Sequence, residues 1–407
     1  MEDRHQRFSG WHRIAEIGKG MPLTWIFAPK VFTDPDPAAY VGARLWTDHP
    51  VASGEFSITG PIPTPIRKYD PARGGVPVPL MVPNRHPAKN SPFYLENLPR
   101  FLDRPGEWIF QRDGRRLYVR LPDDADPAAA VIEAARHEVL IDLPAQSHVV
   151  ISGLTLTGGN SIDPDESHDV GGWKRPVPIT RMAAVRLRGS CRDIALSHLR
   201  IVDTAGGGVV NEILAEGDSV DGAAVTDSVL ERIDNGGIIL CRGPLYRFLP
   251  LGSLTGVSIL RNRMSDIGLR LSGHYGQAVD LGGVGVAEVA GNVIERVAFQ
   301  GINVWSGKLC GGVQGDAGGD DPLIRVQIHR NQVVDALLHA TDFGAIEAWG
   351  TGTTYIHGNV IANASGYVAH RDQWHKNVLI YLDGHHKGFT FNNVGWSDSD
   401  ARAWKGM

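Results

Sequence analysis

One short pattern recurs from about residue 148 onward, and it constrains the fold more than any other feature of the chain. Each copy has a short apolar strand, a bend at an Asn, Ser, His or Gly, a second short strand, and a Gly or Asp turn. The bends fall at residues 153, 198, 228, 262, 292, 331, 359 and 393. A repeat of this period indicates units that bury their apolar face only by stacking on one another.

The repeat predicts an all-β fold in the form of a parallel β-helix, in which each coil contributes two or three strands. No ten-residue helical pattern separates the strands, which argues against βαβ units, and two-residue hairpin signals are scarce. An antiparallel sandwich is the alternative. An Asn at the bend tolerates left-handed backbone angles and can stack on the Asn of the next coil. Frequent bends also explain the glycine content, which is 49 of 407 residues or about 12%, against a typical ~7%.

The first ~145 residues differ from the repeat. Prolines crowd residues 61–87, which is typical of loops or extended chain. Residues 107–121 place an Asp-Gly turn between two β-rich runs and predict a hairpin. We therefore expect a β-rich N-terminal elaboration over residues 1–145 and the β-helix over residues 146–407.

Composition and charge exclude several classes of protein. No apolar run is long enough to span a membrane, and a net charge of −5 without a Lys/Arg cluster argues against a nucleic-acid partner. Cys191, Cys241 and Cys310 lack the spacing of a disulfide framework or zinc site and are expected to be buried thiols. The N-terminus lacks the order of a signal peptide. Localisation stays open between a secreted or periplasmic protein whose signal peptide was removed and a cytoplasmic one, and the oligomeric state is also open.

Two aspartates near the C-terminus stand in similar contexts. Glycoside cleavage commonly needs two carboxyl groups, one as acid and one as base or nucleophile. Asp342 follows the coil marked by Asn331, and Asp383 follows the coil marked by Asn359. Because strands of adjacent coils lie ~4.8 Å apart, the two carboxylates are expected within catalytic reach of each other. Glu347 is the reserve candidate, facing the other side of the strand by alternation, and solvated turn aspartates or Asx turns are the alternative.

Aromatic and imidazole side chains are dense in the same part of the chain. Amphipathic rings suit the apolar faces of sugars and leave a polar edge for hydroxyl groups, whereas indoles that cap the β-helix core are the alternative. The candidate substrate contacts are Trp305, Trp349, Trp374, Tyr381, His385 and His386, with His274, Tyr275 and Asp280 joining the same groove from an earlier coil.

No cofactor is expected. The acidic stretches at residues 163–166 and 320–321 would offer oxygen ligands to calcium, although solvated loop charge is the simpler explanation. The pair His385-His386 lacks the H-x-x-x-H spacing of a helical zinc site.

Two motifs resemble those of right-handed parallel β-helix glycosidases such as glycoside hydrolase family 141, in the pectate-lyase-like superfamily. They are Asp-Phe-Gly-Ala-Ile-Glu-Ala-Trp-Gly at residues 342–350 and Leu-Ile-Tyr-Leu-Asp-Gly at residues 379–384. Residues 94–122 are similar to the segment that precedes the solenoid in those proteins. The resemblance implies a right-handed β-helix in which Asp342 and Asp383 are catalytic. It also implies a fucosidic or xylosidic bond of a complex polysaccharide or oligosaccharide as the substrate.

Two other functions fit a β-helix of this composition. A polysaccharide lyase would act on an acidic polysaccharide and would need a base, with a cation or basic side chain to neutralise the sugar carboxylate. A carbohydrate-binding β-helix of the tailspike type would retain its ligand without turnover and would tolerate the loss of both aspartates.

Overall fold

The structure is a computed structural model, and its described residues divide into two compact units, one ending at Ala134 and the other beginning at Ala135. It describes residues 11–18, 23–47, 62–79, 87–111, 114–161, 182–242, 251–270, 276–305, 325–340, 343–350, 352–364, 377–383 and 387–396. The helices in these ranges are single 3-10 turns at Pro99–Phe101, Pro122–Asp124 and Pro127–Ala129. No helix in the described ranges is long and apolar enough to cross a membrane.

The first unit is β-rich and antiparallel. Its described strands are β1 (His12–Arg13), β2 (Glu16–Gly18), β3 (Leu23–Phe27), β4 (Arg44–Thr47), β5 (Ile62–Pro65), β6 (Gly75–Pro79), β7 (Pro92–Glu96), β8 (Trp108–Gln111) and β9 (Arg116–Val119). They form one sheet in the order β1-β7-β4-β5, a second in the order β2-β3-β6, and the antiparallel pair β8-β9. A separate core that includes Phe32, Leu45 and Phe93 stabilises this unit.

The second unit is a stack of coils. In chain order its described strands are β10 (Val139–Pro144), β11 (Ser147–Ser152), β12 (Thr155–Thr157), β13 (Ala183–Arg188), β14 (Cys191–Ser197), β15 (Arg200–Thr204), β16 (Gly207–Glu212), β17 (Ser219–Thr226), β18 (Val229–Ile233), β19 (Ile238–Cys241), β20 (Ser253–Thr255), β21 (Val257–Leu260), β22 (Arg263–Ile267), β23 (Val279–Gly282), β24 (Val286–Ala290), β25 (Val293–Val297), β26 (Ile302–Trp305), β27 (Arg325–His329), β28 (Gln332–Val334), β29 (Gly344–Trp349), β30 (Thr353–His357), β31 (Val360–Ala362), β32 (Val378–Asp383), β33 (Lys387–Phe391) and β34 (Val394–Trp396).

Strands at the same place in successive coils pair side by side. Sheet 1 has the order β10-β13-β16-β19-β23-β26-β29-β32, sheet 2 the order β11-β14-β17-β21-β24-β27-β30-β33, and sheet 3 the order β12-β15-β18-β22-β25-β28-β31-β34, while β20 also pairs with β17. The described pairings within these sheets are parallel, for example β23 with β26 and β29 with β32. The predicted parallel β-helix is confirmed, and the antiparallel sandwich is wrong. The first coil begins with β10, a few residues before residue 146.

The interior of the coils is filled by alternate residues of each strand. In β21, Val257 and Ile259 are buried and Ser258 between them is not. Because the pairing is in register, the inward residues of sheet 1 form one continuous column: Ile141, Val185, Val209, Ile238, Val279, Ile302, Ile346 and Ile380. Each coil therefore covers the apolar face of the coil before it, as the repeat requires.

A ladder of asparagine side chains joins the coils at the bend between sheets 2 and 3. Its described members are Asn262, Asn292, Asn331, Asn359 and Asn393. The Oδ1 of Asn292 accepts the backbone N–H of Asn262 at 2.9 Å and its Nδ2–H at 3.0 Å, while the Nδ2 of Asn292 donates to Asn331 Oδ1 at 2.9 Å. The ladder thus satisfies buried backbone and side-chain groups together.

The left-handed backbone at this bend belongs to the residue before each Asn. Positive φ occurs at Arg261 (54°), Gly291 (66°), Arg330 (55°) and Gly358 (63°), so the expectation that the Asn itself turns the chain is wrong. The predicted bend residues 153 and 198 lie in this left-handed column, not in the Asn column. The Asn is selected by its hydrogen bonds, and the preceding residue makes the turn.

Replacement of Asn292 by Ala should destabilise the β-helix by about 2 to 4 kcal/mol, because it removes the acceptor of the Asn262 backbone N–H in a buried site. The free energy of unfolding, from urea denaturation, measures this loss. Asn393→Ala is the matched control, since Asn393 is only half-buried at the end of the described ladder. An Asn292→Ala loss no larger than that of the control would contradict the ladder as a stabilising element.

Candidate active site

The outward residues of sheet 1 form two neighbouring columns that carry most of the predicted functional side chains. We call the outward residues of β19, β23, β26, β29 and β32 the site face. The first column is Ile239, Asp280, Asn303, Glu347 and Tyr381, and the second is Cys241, Gly282, Trp305, Trp349 and Asp383. Their strand neighbours, such as Val279 and Leu281, belong to the core. Strand alternation alone therefore places these side chains on one surface.

Asp280 is the second residue of the first column and is completely buried, although it points away from the coil interior. Its Oδ1 accepts hydrogen bonds from Asn303 Nδ2 and from Trp305 Nε1, both at 2.9 Å. Burial raises the pKa of this carboxyl to about 7, against the lowering effect of the two hydrogen bonds. The neighbouring Cys241 thiol also has a raised pKa, first because it is buried and second because of the Asp280 charge.

The Trp305 indole packs over Gly282, which leaves room for it because this residue has no side chain. A Cβ on Gly282 would approach Trp305 Cζ2 to 2.4 Å and the Cys241 Sγ to 3.0 Å. The indole packs in a small apolar cluster with Ile239 and Cys241 and is only 4% exposed. In this structure the Trp305 ring therefore supports the site face and does not present a free face to a sugar.

Trp349 and Asp383 continue the second column. Trp349 is in register with Trp305 on one side and with Asp383 on the other. It is half-buried and packs against the cluster that contains Trp305. Asp383, at the end of β32, is also half-buried. An indole and a carboxyl group are thus direct neighbours on the accessible part of the face.

Glu347 is buried in the first column and fixed by two donors. Its Oε2 accepts Gln300 Nε2–H at 3.1 Å and the backbone N–H of Gly344 at 3.0 Å. Gly344 is the first residue of β29, so this carboxylate anchors the start of that strand. A Cβ on Gly344 would lie 2.7 Å from the Cβ of Tyr381, so this glycine permits the close approach of β29 and β32.

The predicted site residues divide into two groups. Trp305, Trp349, Glu347, Tyr381 and Asp383 share the site face. Asp342, His274, Tyr275, Trp374, His385 and His386 lie outside the described residues, as do the acidic stretches 163–166 and 320–321. β29 begins at Gly344 and residue 342 lies outside the described residues, so the expectation that Glu347 faces the opposite side from Asp342 stays a prediction.

The register gives the spacing of the carboxyl groups along the face. With ~4.8 Å between strands and ~3.3 Å per residue, the Cα atoms of Glu347 and Asp383 are about 8 Å apart. Asp280 is two strands from Glu347, about 10 Å, and three strands and two residues from Asp383, about 16 Å. Glu347 and Asp383 are therefore neighbours, whereas Asp280 and Asp383 do not flank a single bond.

Two buried polar residues, Asn303 on this face and Gln300 two residues before β26, are absent from the sequence prediction. Both are buried, and they hold Asp280 and Glu347 respectively. The signal that could have found Asn303 is a polar residue between two apolar ones, Ile302 and Val304, in a strand that is otherwise buried. Among the described residues no group of three His, Cys, Asp or Glu side chains could hold a metal ion.

Comparison with solved structures finds a similar chain named "Glycoside hydrolase". The TM-score is 0.64 at 17% sequence identity, over 99% of this chain and 76% of that chain. At this identity the likeness shows a shared fold. No family model and no curated protein matches the sequence.

Substitution of Gly282 by Ala should displace the Trp305 indole, because the added Cβ would overlap the ring. Overpacking of this kind costs about 1 to 3 kcal/mol, which thermal or urea unfolding can measure. Gly217→Ala is the matched control, since a Cβ there would meet nothing within 4 Å. Equal stability of the two variants would contradict the close packing described for Trp305.

The raised pKa of Asp280 predicts stability that falls as the pH rises. The unfolded carboxyl loses its proton near its ordinary pKa of 3.8, whereas the folded one keeps it up to about pH 7. The folded state binds more protons between these values, so the free energy of unfolding declines across that window by up to about 4 kcal/mol and is flat above it. Asp280→Asn removes this decline. Urea unfolding from pH 4.5 to 8.5 checks it, and equal slopes for both proteins would contradict it.

Proposed function

We propose that this protein is a glycoside hydrolase that cleaves its substrate on the site face. The observation that carries the proposal is the pairing of β29 with β32, which places the half-buried Asp383 carboxyl beside the Trp349 indole on adjacent coils. Two carboxyl groups that flank a glycosidic bond are the usual requirement for its hydrolysis. The fold shared with a chain named "Glycoside hydrolase" supports the same function.

Asp383 is the carboxyl group we place at the scissile bond. It is half-buried beside the Trp349 indole, which offers an apolar surface for a sugar ring next to the reacting groups. A carboxyl group next to such a surface can transfer a proton to or from the glycosidic oxygen. Acid and base chemistry by two carboxyl groups needs no cofactor.

Asp342 remains the proposed partner of Asp383, on the strength of the paired sequence motifs. We do not assign Glu347 as the second catalytic carboxyl group, because its Oε2 already accepts two hydrogen bonds from the protein. One of these comes from the backbone of Gly344, two residues after Asp342 in the chain. We therefore propose Glu347 as a positioning residue for the segment that carries Asp342.

The substrate is proposed to be a complex polysaccharide or oligosaccharide with a fucosidic or xylosidic bond, as the motif resemblance implies. Tyr381, in register with Glu347, and Trp349 are the described side chains proposed to contact it. His274, Tyr275, Trp374, His385 and His386 remain proposed contacts on the basis of sequence.

Hydrolysis is tested with 4-nitrophenyl glycosides, including the α-L-fucoside and the β-D-xyloside, and with a panel of plant polysaccharides assayed for reducing ends. Asp383→Asn and Asp342→Asn should each lower kcat by about 10²- to 10⁴-fold, the usual contribution of a general acid or base. Asp227→Asn is the matched control, because Asp227 forms a surface ion pair with Arg261 and should leave kcat within about twofold.

The same variants, together with Glu347→Gln, separate the remaining assignments. Loss of activity in Glu347→Gln and Asp383→Asn, with Asp342→Asn active, would make Glu347 the catalytic partner. An unsaturated product that absorbs in the ultraviolet would indicate a lyase. Binding of glycan without turnover, unchanged in both aspartate variants, would indicate a carbohydrate-binding protein and would contradict the proposed hydrolase.

A further inference from the structure

Two buried acceptor atoms at the centre of the site face lack a hydrogen-bond partner in the described part of the structure. They are Asp280 Oδ2 and Asn303 Oδ1. Their side chains are already joined, because Asn303 Nδ2 donates to Asp280 Oδ1 at 2.9 Å. Asp280 is 0% exposed and Asn303 is 7% exposed. A buried acceptor without a donor lowers the stability of the folded state. Two such acceptors on side chains that are hydrogen-bonded to each other need a common explanation.

A single proton on Asp280 Oδ2 would satisfy both atoms. A carboxylic acid and a primary amide are complementary, since the acid O–H can donate to the amide oxygen while the amide N–H donates to the acid carbonyl. Asp280 Oδ1 would then be the carbonyl oxygen, with two lone pairs for its two observed donors, Asn303 and Trp305. An ionised Asp280 would instead leave both acceptors without a donor.

We propose that Asp280 is a neutral carboxylic acid in the folded protein, paired in both directions with Asn303, and that this pair holds Trp305 in place beneath the substrate site. The consequence for catalysis rests on the proposed function, whereas the protonation state does not. Asp280 is a positioning residue, because it acts on the site through the indole.

Two indole rings, those of Trp305 and Trp349, connect Asp280 to the proposed substrate site. Oδ1 of Asp280 accepts the Trp305 Nε1–H, and the ring crosses Gly282 and packs against Trp349. Trp349 is in register with Asp383. Loss of the Asp280 proton would remove its hydrogen bond to Asn303 Oδ1 and so change the hold on the carboxyl group that fixes the indole next to the proposed catalytic carboxyl.

The groups around Asp280 allow it to stay neutral. On β19, β26 and β29, the described titratable side chains are Cys241 and Glu347, and β26, the strand that pairs with β23, contributes none. Burial raises the pKa of the Cys241 thiol, so it carries no charge at neutral pH. No described Lys, Arg or His lies on β19, β23 or β26 to stabilise an ionised Asp280. The pKa of Asp280, raised by burial to about 7, agrees with this geometry.

The test follows the indole N–H of Trp305 by ¹H–¹⁵N NMR on the full chain, with the signal assigned through Trp305→Phe. We expect one titration of this signal near neutral pH in the wild-type protein. The titration should be absent in Asp280→Asn, because the amide of that variant can make the same hydrogen bonds without ionising. Asp227→Asn is the matched control and should titrate like the wild type.

Two results would overturn the proposal: a Trp305 signal that titrates near pH 4, close to the ordinary pKa of 3.8, or one that titrates equally in Asp280→Asn. These readings need no substrate, so they decide the protonation state even where the proposed hydrolase activity fails.

Once a substrate that the protein cleaves is known, its KM for the wild-type protein should rise by about two- to tenfold from pH 6 to pH 8.5. This is the effect expected from the loss of one hydrogen bond, that from Asp280 to Asn303. The KM of Asp280→Asn should not rise. A pH-independent wild-type KM would contradict the support role of the pair, and a kcat loss of about 10²-fold or more in Asp280→Asn would make Asp280 a catalytic carboxylate instead.

Discussion

Parallel, in-register hydrogen bonding between successive coils is the interaction on which the rest of the structure depends. It aligns the same position of every coil, so that inward residues such as Ile302 form a continuous apolar column. The asparagine ladder adds side-chain hydrogen bonds at one corner. A shift of one residue in β26 would turn Ile302 outward and Asn303 into the core, and both arrangements are strongly unfavourable.

The same register collects functional groups from distant parts of the sequence. Asp280, Asn303 and Glu347 lie up to 67 positions apart in the chain but occupy one column of sheet 1. Gly282 shows that the backbone is shaped for this face, since its missing side chain makes room for Trp305. The proton that we propose on Asp280 would satisfy the two buried acceptors of this column.

The sequence predicts the repeating part of this molecule well, because one pattern appears many times and has one physical explanation. Details inside a single coil are predicted less well. The asparagines of the bend were recognisable, but the left-handed backbone lies at the residue before them, as Gly291 shows before Asn292. Likewise, the neighbours of Glu347 in its column, Asn303 and Tyr381, follow from the register of β26, β29 and β32 and not from residues 342–350 alone.

By itself, the sequence determined the stacked parallel coils, the polar ladder at the bend and the presence of carboxyl and indole groups on the later coils. These follow from periodicity and residue chemistry, which are local properties. Only the tertiary structure decided that Trp305 supports the face while Trp349 is accessible, and that Asp280 is buried with Asn303. Burial and partner choice depend on residues brought together from different coils, and their pairing is set by backbone register, which no single stretch of sequence contains.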